Sequence, residues 1–166
     1  MGQRFEDLFL PQLDAAYSLA RYIVRDPAAA DDIVQEAYLR AFRSFESYRG
    51  GDAKSWLLAI VRNCSIDWTK ARRSDSGDAA ADPDELPDQT QDSPETSAMR
   101  GNEIEEVRAM IQRLPEPFRE ALVLRELEEL SYKEIASITG VPVGTVMSRL
   151  ARARRLLTQD VAAQLR

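Results

Sequence analysis

Apolar residues recur every three or four positions through most of the chain, and no segment sustains strand-like alternation. That periodicity predicts helices and an all-α protein. Leu13, Ala16, Tyr17, Ala20, Ile23 and Val24 form a first stripe, which Asp26-Pro27 ends with a capping residue and a first-turn proline. The helix that starts there runs to about residue 45, with Ile33, Ala37 and Ala41 on one stripe and Val34 and Tyr38 beside it. The paired glycines of SYRGGDA, 47–53, predict a turn. A third helix, about 53–73, carries the stripe Leu57, Val61, Cys64 and Trp68.

The pattern stops at residues 74–98, which contain no aromatic residue, Leu86 as the one large aliphatic, and the breakers Pro83, Pro87 and Pro94. Such a segment cannot bury enough apolar surface to offset its ordering entropy. The chain is therefore expected to form two small helical domains, 1–73 and 99–166, joined by a flexible linker, 74–98. In the second, Ile104, Val107, Ile111 and Leu114 line one helix face up to Pro115. A helix of about 116–127 follows with Phe118, Ala121, Leu122 and Leu124, and two more lie within 131–157.

The 131–157 stretch is the most specific pattern in the chain. Ser131 and Glu134 have the spacing of a capping box, in which hydroxyl and carboxylate satisfy orphaned backbone N–H groups. Ala136 is small enough for a second helix to cross closely, Gly140 suits a left-handed helix end, and Val146 fills the angle between the helices. Ile135, Val141 and Leu150 complete a miniature core. This is the pattern of a helix-turn-helix, whose second helix lies in the DNA major groove. Arg149, Arg152, Arg154 and Arg155 give that helix a positive field, some for phosphates and one or two for guanine edges. The competing reading is a solvated basic helix end that favours the helix dipole.

Charge first argues against a nucleic-acid partner, because the 166-residue chain has a net charge of -6. The sum misleads: residues 74–98 hold eight acidic side chains and no basic one, which leaves the remainder at net +2. With no histidine and Cys64 as the single cysteine, disulfide frameworks, zinc sites and histidine-based catalysis are largely excluded. Cys64 reads as a structural thiol. The adjacent carboxylates Asp31 and Asp32 point in different directions on a helix, and no nucleophile–base set accompanies them, so an enzyme is not expected. No metal and no cofactor is expected either. The start MGQRFEDLFLPQL lacks a signal-peptide pattern and no apolar run approaches a membrane span, so the expectation is a cytoplasmic protein without membrane insertion.

Two long segments carry a resemblance. DPAAADDIVQEAYLRAFRSFESYRGGDAKSWLLAIVRNCSIDWTKARR is similar to the second region, and LPEPFREALVLRELEELSYKEIASITGVPVGTVMSRLARARRLL to the fourth, of bacterial extracytoplasmic-function sigma factors. These are promoter-specificity subunits of RNA polymerase. Asp32, Gln35, Glu36, Leu39 and Arg43 share a helix face opposite the Ile33 stripe, which by itself is either a docking face or a solvated face with a stray leucine. The resemblance implies that this face grips the clamp helices of the largest subunit of core RNA polymerase. Asn63 and Asp67, one turn apart, point away from the core. In the family that face reads the minus-ten element as it melts, and the preceding loop, here with Tyr48 and Arg49, captures a flipped base.

Lys70, Arg72 and Arg73 would bring positive charge to the same strand, whereas Trp56 and Trp68 are open to either stacking or a core role. For the minus-thirty-five element the resemblance points to the stretch holding Thr145, Met147, Ser148, Arg149, Ala151, Arg152, Arg154 and Arg155. Met147, Ser148, Ala151 and Arg152 fall nearest the bases, and Arg149 falls on a phosphate. Many relatives have a basic residue in place of Met147 and a larger one in place of Ala151, so their promoter sequences do not transfer. The expected function is a sigma factor directing promoter-specific initiation in a stress or envelope response, held in check by an anti-sigma factor. The alternative is a helix-turn-helix regulator whose first module senses or dimerises. For the linker two readings stand: a tether, or an anionic stand-in for nucleic acid within the polymerase cleft.

Overall fold

The computed structural model describes residues 4–76 and 103–165, and among them there are helices and turns but no strand. Helices α1 (Phe5–Phe9), α2 (Leu13–Val24), α3 (Pro27–Arg43) and α4 (Ala53–Ser76) make the first module. The second contains α5 (Glu103–Gln112), α6 (Glu116–Leu122), α7 (Tyr132–Thr139) and α8 (Val143–Gln164). Asp26 caps α3 as its sequence predicts: its carboxylate accepts from the N–H groups of Ala28 and Ala29 at 3.0 and 3.3 Å, with Pro27 in the first turn. Gly50 and Gly51 both take positive φ, 87° and 88°, which turns the chain from α3 into α4 at little steric cost. Most of the acidic segment lies outside the described residues.

Several element boundaries differ from the sequence expectation. Helix α1 is too short to show a period, and it is placed by aromatic packing. The Phe9 ring, fully buried, lies 5.9 Å from Phe45, 5.6 Å from Tyr48 and 5.2 Å from Trp56. Helix α3 stops at Arg43 and gives way to a 3₁₀ turn, Phe45–Ser47, that holds Phe45 and Tyr48 in this cluster. Helix α4 runs to Ser76 rather than 73. The expected helix 116–127 ends as α-helix at Leu122 and continues as a π-helical turn, Val123–Leu127. Ile111 of α5 and Leu114 just beyond it are buried as expected, but Ile104 and Val107 are 55% and 48% exposed. Past the other end of α5, Arg113 meets Asp160 of α8 at 2.7 Å.

Sequence periodicity gave no reason to expect that the two modules pack together, yet they share one continuous core. Leu58 of α4 and the second module's Phe118, Val123 and Leu124 all belong to it, each at most 2% exposed. Charged groups stitch the seam. Arg119, 2% exposed, donates from Nη1 to the Leu114 carbonyl at 2.7 Å and from Nη2 to the Ile23 carbonyl at 3.1 Å. Burial, helped by nearby Arg25, lowers its pKa to about 10. Arg25, in the left-handed conformation at the end of α2 (φ 61°), adds a bond to the same Leu114 carbonyl at 3.3 Å. Across the seam Arg62 pairs with Glu120 at 2.5 Å, Arg73 with Glu116 at 3.0 Å and Lys54 with Glu128 at 3.1 Å.

These contacts differ in weight. Arg73 is substantially exposed, and a solvated pair contributes under about 1 kcal/mol. Glu120 is 2% exposed; burial pushes its pKa up, and Arg62 opposes that shift. Removing the partner of a buried charge costs about 3–5 kcal/mol. Arg62→Ala is therefore expected to open the seam while each module stays helical. Small-angle scattering should give a larger radius of gyration at unchanged far-ultraviolet circular dichroism; an unchanged radius would show that the pair does not hold the modules closed.

A second prediction concerns Tyr38, whose hydroxyl donates to the Phe9 carbonyl at 2.6 Å and so pins α1 to α3. Burial raises its pKa to about 12 from 10.0. A raised phenol pKa means the neutral form is favoured by folding, so its contribution is complete below pH 10 and is lost as the pH rises through about 12. Ultraviolet titration should show one tyrosine ionising late, and Tyr38→Phe should remove that late step.

Candidate nucleic-acid interface

The helix-turn-helix is assembled as its sequence predicts. Ser131 Oγ accepts from the Glu134 N–H at 3.1 Å, and a Glu134 oxygen accepts from the Ser131 N–H at 3.1 Å, completing the capping box. Gly140, at φ 73°, ends α7 with its N–H on the Ala136 carbonyl at 2.9 Å, and the chain turns into α8 at Pro142. Ile135, Val146 and Leu150 fill the angle between the helices, each at most 1% exposed. The other Glu134 oxygen accepts from the Ser55 hydroxyl at 2.6 Å, so the cap of α7 also ties it to α4. Hydrogen bonds from Ser55, then those involving Asp52 and Ser131, lower the Glu134 pKa to about 2.

Helix α8 buries Val146, Leu150, Ala153 and Leu156 and turns its opposite face outward. On that outer side Gly144, Met147, Ser148, Ala151 and Arg155 are exposed, and Thr145 is half-buried. The other arginines flank this stripe or turn inward. Arg152 lies over the Phe118 ring at 5.3 Å, and Arg154 pairs with Glu126 at 2.9 Å, a bond that raises its pKa. Arg149, expected on a phosphate, is half-buried with its Nε enclosed, and it stands close enough to Glu120 to favour that carboxylate's charge.

On α4 the two sides divide cleanly. Lys54, Ser55, Arg62 and Arg73 face the second module, whereas Asn63, Asp67 and Lys70 are exposed. Asp67 meets Arg40 of α3 at 3.5 Å, and Arg40 in turn meets Glu36 at 3.1 Å. Arg72 lies over the half-buried Trp68 ring at 5.2 Å, beside a cleft of about 930 Å³ between the modules that Arg25, Arg73, Glu116 and Arg119 also line. Trp56 packs 5.2 Å from both Phe9 and Tyr48, and the Tyr48 hydroxyl donates to the Gly51 carbonyl at 2.9 Å. Both rings are thus half-buried walls of the loop, next to exposed Arg49.

Helix α3 presents Asp32, Gln35, Leu39 and Arg43 to solvent, with Glu36 partly covered. It also exposes Phe42, at 64%, one turn from Leu39 at 51%. The sequence reading left Phe42 out, although its i, i+3 spacing from Leu39 was the available signal. The Phe5 ring holds it edge-on at 5.4 Å. Among the described residues no cluster of metal-ligating side chains occurs, and no helix is long and apolar enough to cross a membrane.

Comparison with known proteins matches residues 8–75 to the family model "Sigma-70 region 2" and residues 104–157 to "Sigma-70, region 4". The chain is 35% identical over 170 residues to the RNA polymerase sigma-H factor of Pseudomonas aeruginosa, covering 98% of this chain and 88% of that one. It is 40% identical over 152 residues to the ECF RNA polymerase sigma-E factor of Haemophilus influenzae, covering 86% and 79%. The Escherichia coli sigma-E factor is 39% identical over 143 residues, covering 81% and 75%. Among solved structures, the sigma factor RpoE of Bartonella quintana, in complex with the anti-sigma factor NepR, superposes with a TM-score of 0.75 at 26% identity, covering 93% and 94% of the two chains. CnrH, solved with the cytosolic domain of CnrY, shares the fold with a TM-score of 0.67 at 23% identity, covering 96% and 88%. With both modules matched in order around the acidic segment, the chain belongs to the sigma-70 family of RNA polymerase sigma factors, in its extracytoplasmic-function branch.

Proposed function

We propose that this sigma factor docks on core RNA polymerase through the α3 face of Asp32, Gln35, Glu36, Leu39, Phe42 and Arg43. The observation that carries this reading is the pair Leu39 and Phe42, half or more exposed on one helix face among polar neighbours. Adjacent large apolar side chains on a surface favour a protein partner, and the likeness to sigma factors makes that partner the polymerase. Promoter contact is divided. Helix α8 addresses the minus-thirty-five element, while Asn63, Asp67 and Lys70 of α4, with Arg72 and the Tyr48–Trp56 loop, address the melted minus-ten strand.

The closed seam fits a form that is off the promoter. Ser55 and Glu134 are in hydrogen-bond contact, yet two elements more than one DNA turn apart are separated by over about 35 Å. Both can be held only after α7 leaves α4. By likeness to the RpoE–NepR complex, an anti-sigma partner is proposed to hold the closed form, and the protein to act in the cytoplasm with its polymerase.

The test is run-off transcription with purified core polymerase over a library of promoter sequences. Promoter-dependent transcripts are expected only when the sigma factor is added; duplex binding without polymerase dependence would favour the lone regulator. Leu39→Ala combined with Phe42→Ala should weaken core binding by at least about tenfold, since two half-exposed apolar side chains are covered on docking. The melting temperature should hold, because neither side chain is part of the core.

A further inference from the structure

Along the outer face of α8 the side chains met first are Gly144, Met147, Ser148 and Ala151; the first cation on that line is Arg155. A helix returns to the same face every three to four residues, so these positions stack toward whatever the helix enters. Met147 is 52% exposed, and Val143 beside it 40%. The neighbouring guanidinium groups lie off this line: Arg149 is half-buried with its Nε enclosed, Arg152 lies over Phe118 and Arg154 pairs with Glu126.

Guanine is read in the major groove by paired donors on its O6 and N7, which the Met147 thioether and the Ala151 methyl cannot supply. Thymine offers the one apolar group in that groove, its 5-methyl, and apolar side chains read it by contact. Ser148 completes the match. Its hydroxyl donates to the Thr145 carbonyl at 3.0 Å, so toward the groove it presents acceptor lone pairs, suited to the adenine N6 amino group. Gly144 is a second and independent pointer. A Cβ built there meets nothing within 4 Å and the backbone is ordinary helix, so neither packing nor conformation within the protein calls for glycine. A bare backbone at that position lets α8 approach a base edge more closely than any side chain would.

We propose that Met147 and Ala151 select thymine by its methyl group in the minus-thirty-five element, with Ser148 favouring a neighbouring adenine. The specificity of this helix then differs in kind from arginine–guanine readout. The inference rests on the promoter-binding function proposed above.

The experiment uses the full chain with core polymerase on a promoter selected from the library. Each thymine of the minus-thirty-five element is replaced singly by deoxyuridine, which keeps base pairing and removes only the methyl. At one or two positions initiation should fall about fourfold, the value of burying one methyl-sized group. Met147→Ala should abolish the thymine–uracil difference at one of them. Ala151→Ser should act likewise at its own position.

Equal initiation from thymine and uracil templates at every position overturns the inference, as does a selected element without thymine. So does a Met147→Ala protein whose output falls equally on both templates, which would assign the apolar stripe to a protein partner instead. Absence of any promoter-dependent transcript from the wild type is a different failure, and it would overturn the function itself.

Discussion

The Glu120 carboxylate, 2% exposed and held by Arg62 at 2.5 Å, is the constraint on which the closed arrangement of this protein depends. A buried charge is tolerated only with its partner in place, and here the partner belongs to the other module. Arg119 works in the same way from the neighbouring position, spending its hydrogen bonds on the Leu114 and Ile23 carbonyls. Both charges point into one seam from one turn of α6. The docking of α6 against α2 and α4 is thereby specified in register, beyond what apolar burial alone would fix. Polar seams also part more readily than apolar ones, since water and a new partner can replace their bonds.

That seam sorts the side chains of two helices into roles. On α4, residues facing the second module are tied by ion pairs and the Ser55–Glu134 bond, leaving Asn63, Asp67 and Lys70 outside. On α8, the arginine nearest the seam turns inward and the uncharged stripe turns out. A helix that looks uniformly basic along its sequence is thus divided into a flank of arginines and a small, uncharged outer edge.

Much of the fold was legible because it is encoded within a few residues. The Asp26-Pro27 start of α3, the Ser131–Glu134 box and the Gly140 turn are each complete within a span of one to two helical turns. Where the reading missed, the deciding partner was remote in sequence or the element was short. Helix α1 has five residues and is held by Phe45, Tyr48 and Trp56. The π-helical turn at Val123–Leu127 keeps the composition of an ordinary helix, so no residue announces it. Ile104 and Val107 carry a core-like period, but they sit at the end of α5 away from the Arg113–Asp160 tie. Phe42 is exposed on α3 as well, against the edge of Phe5 from the short helix α1 that the sequence pattern does not reveal.

The sequence by itself determined that this chain is helical, that residues 131–157 form a capped helix-turn-helix, and that its motifs follow the order of sigma-70 region 2 and region 4. Those features follow from periodicity and from bonds between near neighbours. Only the tertiary structure decided that the modules close on each other, that Arg149 is half-buried with its Nε enclosed, and that Met147 and Ala151 head the outer face of α8. The direction of a long side chain is set by charges and surfaces brought near from distant parts of the chain. Spacing along one helix holds no record of them.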